Sequence, residues 1–259
     1  MPVYNTIGHG YAKTRLADSR ITSRLIELLN LPANAQILDV GAGTGKYARA
    51  LAEQGYQITA LEPSEVMRAQ SVPHQAVQFL PGFAENIPLP DHSRDGAIVV
   101  LATHHFEDRN AAFREIFRVV GEGPLVLFTF DLKALRTFWL ADYFPKLGCS
   151  FRTSFSAQTD VAAELKLVTS RKVSVIPFPL PRDLEDKFGA ASWARPEDYL
   201  DPVIRNGISD FSLMNEVDLT QGLAKLKADL QSGDWDSQYG FLRTQASYDI
   251  GYQFIVVEK

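Results

Sequence analysis

The chain has 259 residues, 46% of them hydrophobic, and a formal net charge of −5. That is enough apolar material for one sizeable core with an elaboration, and the acidic balance excludes a global attraction to polyanions, so nucleic acid is not an expected partner. The longest apolar run, AIVVLA at 97–102, is strand-sized and excludes a membrane span. The single cysteine, Cys149, cannot form an internal disulfide, and the opening MPVYNTIGHGYAKTR lacks the apolar core of a secretory signal, so a cytoplasmic location is expected.

In chain order, SRITSRLIELLN (19–30) puts Ile21, Leu25, Leu28 and Leu29 on one helical face, with Ser19 as the cap and Pro32 as the stop. QILDV (36–40) reads as a buried strand, and KYARALAEQG (46–55) as a helix with Tyr47, Ala48, Leu51 and Ala52 inward and Gly55 as the stop. A second strand, QITALE (57–62), a short helix in SEVMRAQS (64–71) and a third strand, VQFLPG (77–82), follow. DGAIVVLATHH (95–105) and PLVLFTF (124–130) are the fourth and fifth strands, separated by the helix NAAFREIFRVV (110–120). Strands joined by helical crossovers predict an α/β fold with a doubly wound, mostly parallel sheet.

Beyond Asp131 the alternation loosens into an aromatic helical stretch, FWLADYF (138–144), and a strand, RKVSVIPFPLP (171–181). A helical region then contains DPVIRNG (201–207), with Asp201 as cap, Pro202 in the first turn and Gly207 as stop, and TQGLAKLKADLQSG (220–233), with Leu223, Leu226 and Leu230 in register. The last strand pattern is YDIGYQFIVVE (248–258), so residues 182–247 read as a helical insertion before a strand that returns to the sheet.

ILDVGAGTGKY (37–47) runs from the first strand into three glycines. A P-loop ending on Gly45 and Lys46 needs glycine at position 40 and a hydroxyl at 47, where the chain has Val40 and Tyr47. A dinucleotide loop needs its third glycine at position 46, where Lys46 stands.

DVGAGTG (39–45) instead resembles motif I, E/D-x-G-x-G-x-G, of the class I S-adenosylmethionine-dependent methyltransferases. The resemblance implies a Rossmann-like, seven-stranded methyltransferase sheet with S-adenosyl-L-methionine as cofactor. It places Gly41, Ala42, Gly43 and Gly45 against the methionine end of that cofactor, where side chains would collide, and Asp39 toward its cationic amino group. Glu62, at the end of the second strand with Pro63 beside it, is the expected acceptor for the ribose hydroxyls. PGFAENIPLPDHSRDGAIVVLATHHFED (81–108) resembles the family's G-D-A-E-x-L-P-F-x-D-x-S-F-D segment but carries Phe83 where the family usually has Asp. The adenine is therefore expected at the backbone amide of Ala84 and on apolar contacts, with Leu101 and Ala102 completing the cofactor set. AAFREIFRVVGEGPLVLFTF (111–130) resembles the family's next helix, turn and strand, so the resemblance spans roughly residues 34 to 131.

Ligands of open parallel sheets lie outside the C-terminal strand ends, where LATHHF (101–106) finishes the fourth strand. Methyl transfer is an in-line displacement in which alignment does much of the work, and a base is needed when the acceptor is a hydroxyl. His104 and His105 are the candidate bases, and because adjacent strand residues face opposite sides, one of them is expected to serve. Some sugar and small-molecule O-methyltransferases of the superfamily pair such histidines with an acid after strand five, which is Asp131 here. The N-terminal segment 1–30 resembles the cofactor cover of relatives, with Tyr11 over the sulfonium and Arg15 on the cofactor carboxylate. Phe138, Trp139, Tyr143 and Phe144 suit either an acceptor pocket or a core face. No metal is expected, since the adjacent histidines beside Glu107 and Asp108 are poorly placed to converge on one ion.

These expectations combine into a methyltransferase core of residues 1–181 and 248–259 with 182–247 as an acceptor lid. The expected activity is methylation of a small-molecule acceptor, oxygen favoured over nitrogen or carbon, by a monomer or homodimer. An NAD-type oxidoreductase and a non-catalytic S-adenosylmethionine-binding protein are the rival readings.

Overall fold

Two helices, α1 (Tyr4–Ile7) and α2 (Ser19–Leu29), open the computed structural model, which describes residues 4–135, 137–147 and 161–259. Cys149 lies outside the described residues. The carboxylate of Asp18, rather than Ser19, caps α2 by accepting the N–H of Arg20, and Asn30 in the left-handed region ends the helix before Pro32 is reached. The chain then alternates through β1 (Gln36–Val40), α3 (Lys46–Ala52), β2 (Gln57–Leu61), α4 (Glu65–Arg68), β3 (Val77–Leu80), β4 (Gly96–Val100), α5 (Arg109–Val120) and β5 (Leu125–Phe130). After α6 (Leu132–Leu135), the stretch expected as an aromatic helix makes a single 3-10 turn, Trp139–Asp142.

The remaining elements are α7 (Val161–Val168), β6 (Val173–Pro177), β7 (Leu180–Pro181), α8 (Pro202–Arg205), α9 (Ser209–Leu213), α10 (Glu216–Ser232), α11 (Asp234–Tyr239), β8 (Ser247–Tyr248) and β9 (Tyr252–Val257). Seven strands form one sheet in the order β3-β2-β1-β4-β5-β9-β6. The first five are parallel, and β9 runs antiparallel between β5 and β6. The strand order reverses between β1 and β4, which opens a crevice at their C-terminal ends.

Alternation along each strand sorts the core into two layers. Ile37, Ile58, Ile98, Phe128 and Phe254 face α2 and α3, while Leu38, Leu61, Val99, Leu127 and Ile255 face α5 and α7. The first layer continues into the segment 182–247 through the wholly buried Trp193, Tyr199 and Trp235.

The two late strand patterns each split. Gly251 turns at φ +81 between β8 and β9, and the short strands β7 and β8 leave the main sheet to pair with each other. That pair brings residues 181 and 247 side by side, so the intervening segment leaves and returns at one narrow neck. Trp139 donates its indole N–H to the carbonyl of Trp193 at 2.9 Å and meets Trp235 edge-on at 5.3 Å, while Phe144 meets Phe211 at 5.0 Å. Phe138, Trp139, Tyr143 and Phe144 are all buried and do not line the cavity at the strand ends; they form the core face of the two alternatives, the one that seats the segment 182–247.

Candidate active site

A cavity of about 810 Å³ opens at the C-terminal ends of β1, β2 and β4, within the range of pockets that bury small ligands. Its floor is the glycine loop. Gly41, Gly43 and Gly45 all have positive φ, and a Cβ added at Gly41 would lie 2.6 Å from the Cβ of Ala102, so the loop touches the end of β4 only because no side chain intervenes. Gly45 does not line the cavity. Its glycine is required by a φ of +75 at the start of α3 and by Phe79, whose ring a Cβ would meet at 2.6 Å.

The loop is tied to β2 by one carboxylate. Glu62 accepts the N–H of Gly43 at 2.9 Å on one oxygen and the N–H of Ser64 at 2.8 Å on the other. Burial raises its pKa, each oxygen has accepting capacity left beyond these bonds, and the residue lines the cavity. Burial, with the Glu62 charge next in effect, pushes Asp39 up to about 7. A cation beside Asp39 would reverse that shift.

Beyond β4, Leu101 holds φ +51, a strained conformation for a bulky side chain, and donates its N–H to Phe128 at 2.8 Å. The bend sends the chain into a 3-10 turn, Thr103–His105. His104 and His105 therefore both line the cavity, with ring centroids 3.9 Å apart, and the strand alternation expected to separate them does not apply. Burial, followed by the Arg15 charge, pushes His105 down to about 4; burial, His105 and Arg15 push His104 well below its usual value.

The N-terminal segment closes this end. The hydroxyl of Tyr4 lies 3.1 Å from Nε2 of His105, and burial raises the pKa of the phenol. Helix α9, which Ser209 begins, packs against α1. Tyr11 stands edge-on to Tyr4 at 5.7 Å, and the Arg15 guanidinium lies 4.6 Å over the Tyr11 ring. At the opposite end, Phe83 is 54% exposed at the cavity wall beside the buried Ala84, and Pro63 and Ala42 also line it. Glu85 is committed to the chain itself, accepting the N–H of Glu107 at 2.6 Å.

Of the residues expected in the site, Asp131 is not brought to it: it is exposed and accepts the N–H of Lys133 at 2.8 Å at the start of α6. Tyr4 and Lys46 line the cavity although neither was expected there. Lys46 sits immediately after the third glycine, and that place at a helix N-terminus was a usable signal. Tyr4 had none beyond its nearness to Tyr11. Among the described residues no group of three or more His, Cys, Asp or Glu could hold a metal ion, and no helix is long and apolar enough to cross a membrane.

A methyltransferase domain family matches residues 38–128, the stretch that carries the loop, Glu62 and the histidine turn. Over nearly its whole length the chain resembles a solved structure from Anabaena variabilis, described as a candidate methyltransferase of an antibiotic biosynthesis pathway. The two are 45% identical with a TM-score of 0.88, and the match covers 95% of this chain and 99% of that one. The chain belongs to the class I S-adenosylmethionine-dependent methyltransferases. A malonyl-[acyl-carrier protein] O-methyltransferase of Pectobacterium atrosepticum is 33% identical to this methyltransferase over 44% of its chain, and an O-methyltransferase of Aspergillus sclerotiorum is 35% identical over 42%. Those matches span 46% and 44% of the two relatives' own lengths.

The residues of this methyltransferase fit the family's cofactor. A sulfonium amino acid joined to a nucleoside needs a floor without side chains, and a Cβ at Gly43 would narrow the cradle to 3.3 Å from Cε of Met67. The cofactor also needs an anion at its ammonium and acceptors at its ribose; the buried Asp39 and Glu62 line the cavity at the ends of adjacent strands.

Proposed function

We propose that the protein transfers a methyl group from S-adenosyl-L-methionine to a small-molecule acceptor, at an oxygen in preference to nitrogen or carbon. The observation that carries this reading is the opening of the glycine loop, Glu62 and both histidines onto one cavity. When bound, the cofactor supplies an electrophilic methyl on a sulfonium, open to in-line attack by a lone pair. Asp39 would hold its ammonium, Glu62 its ribose hydroxyls, and Phe83 with the backbone of Ala84 its adenine. The hydroxyl of Tyr11 and one face of its ring already serve Arg15, so only the other face could meet the sulfonium.

Both imidazoles are uncharged at neutral pH and can accept a proton. An imidazole held near 4 is a weak base, so it suits an acceptor hydroxyl that is itself acidic, a phenol or an enol, better than an alkyl alcohol. The hydrogen bond between the Tyr4 hydroxyl and Nε2 of His105 orients the imidazole ring. The O-methyltransferase names of two relatives support oxygen as the target.

Labelled methyl transfer to a panel of phenols, enols, carboxylic acids and amines tests the reading. Transfer to an acidic hydroxyl supports it; transfer to amines alone, or none despite cofactor binding, refutes it. With such an acceptor in hand, His105→Ala should lower turnover about 10²- to 10⁴-fold while cofactor affinity by calorimetry stays within about twofold. Full turnover in both His104→Ala and His105→Ala would leave alignment as the whole of catalysis.

A further inference from the structure

Arg15 and Lys46 line the cavity at the loop end, and both are backed by a single carboxylate from the 182–247 segment. Asp186 is wholly buried and does not itself border the cavity. It accepts Nε of Arg15 at 2.6 Å on one oxygen, and Nζ of Lys46 at 2.5 Å and the Tyr47 hydroxyl at 3.1 Å on the other. Arg15 is fixed further by the Tyr11 hydroxyl and by the carbonyl of Gly207 at 3.0 Å, a second contact from the same segment. These bonds leave Nη2 of Arg15 and two of the three Nζ protons of Lys46 without an acceptor among the described residues.

The charges do not balance. Two cations share one carboxylate, so a net positive charge sits at the cavity wall in a nearly dry setting, which is costly unless an anion meets it. Asp39 is the neighbouring carboxylate, and the family's cofactor carries a cation for it. A zwitterionic amino-acid tail has both complementary groups on one carbon: ammonium for Asp39, carboxylate for the guanidinium and the ammonium of Lys46. Burial and then Arg15 push Lys46 down to about 7, and Asp186 is the foremost group holding it up. Without Asp186 the lysine would be pushed lower still and stand uncharged at neutral pH, and Arg15 would lose the acceptor of its Nε–H.

We propose that Asp186 is a positioning residue for the methyl donor, clamping Arg15 and Lys46 so that their remaining N–H groups meet the carboxylate of the donor's amino-acid tail. The inference rests on reading the cavity as the S-adenosylmethionine site. It makes donor affinity depend on the seating of the 182–247 segment, because the clamp and the Gly207 carbonyl both come from it.

Calorimetry with two probes tests this on the full chain. S-adenosylhomocysteine carries the amino-acid tail; 5′-methylthioadenosine has the same base, ribose and thioether but no tail. In Asp186→Asn, affinity for S-adenosylhomocysteine should fall about 10- to 100-fold, the scale of a lost hydrogen bond to a charged group, while that for 5′-methylthioadenosine stays within about twofold. An unchanged affinity for S-adenosylhomocysteine, or a parallel loss for both probes, overturns the proposal, the latter because a merely structural ion pair would act on both. If Asp186→Asn does not fold, Asp186→Glu keeps the charge and displaces it by one methylene; the ratio of the two affinities should then shift about 3- to 10-fold, and a wild-type ratio overturns the proposal. Wild-type protein that binds neither probe overturns the reading of the cavity itself and this inference with it.

Discussion

Asp39 is a buried carboxyl whose proton is retained to about 7, against 3.8 for a free one. Through that window the folded protein holds a proton that the unfolded chain has released, so stability falls as the pH rises, by at most about 1.4 kcal/mol per pH unit. Asp39→Asn lacks the titrating group, and its urea-unfolding free energy should decline less between pH 4.5 and 7.5 than that of wild type; parallel pH profiles would show that Asp39 is ionised throughout. Donor binding should run the opposite way, strengthening as Asp39 loses its proton. Glu62 makes a second prediction at this scale. Glu62→Ala should weaken S-adenosylhomocysteine binding by about 1.5–3 kcal/mol, measured by calorimetry, because a charge-assisted acceptor is lost together with the strut that holds Gly43. Unchanged affinity would remove Glu62 from the ribose role.

Among the elements, those built from local signals were legible in the sequence. Apolar runs, crossover helices and the glycine spacing gave β1 to β5 with α2, α3 and α5, because each depends on neighbours a few residues away. The two histidines were found but misassigned to opposite faces, since nothing local announces that Leu101 bends the chain out of strand geometry. Asp131 was placed by its position after β5, and only the fold reveals that α6 starts there and turns it outward. Asp186 had no local signal at all: its partners lie 171 and 140 residues away in sequence. Helix α10 was read from its leucines, yet the contact that seats it is glycine. A Cβ at Gly222 would lie 2.6 Å from the carbonyl oxygen of Tyr143 and would also overlap the Phe144 ring. Gly222→Ala should therefore destabilise the protein by about 1–3 kcal/mol despite alanine's better helix propensity, read as a lowered midpoint of chemical unfolding. A raised midpoint would show that the helix stands further off than this packing implies.

At the scale of the whole molecule, the segment 182–247 hangs from one neck at β7 and β8 but shares its buried side chains with the sheet. Trp193, Tyr199 and Trp235 belong to the same apolar cluster as Leu25, Ile37 and Phe128, so no separate core exists for the segment to fold around. Thermal unfolding should accordingly be one cooperative transition, with far-ultraviolet circular dichroism and tryptophan fluorescence changing together. A separate early fluorescence transition, with the helical signal of the sheet layers intact, would mean that the segment melts alone. The clamp at Asp186 and the packing of α9 against α1 tie the same segment to the N-terminal cover of the reaction cavity.

The antiparallel β9 between β5 and β6 also sets an order of assembly. A nascent chain can pair its first five strands as they emerge, but β6 must wait unpaired until residues 252–257 leave the ribosome and slot in beside it. For that interval β5 presents a bare hydrogen-bonding edge, and the last of the seven strands in chain order is the one that seals it.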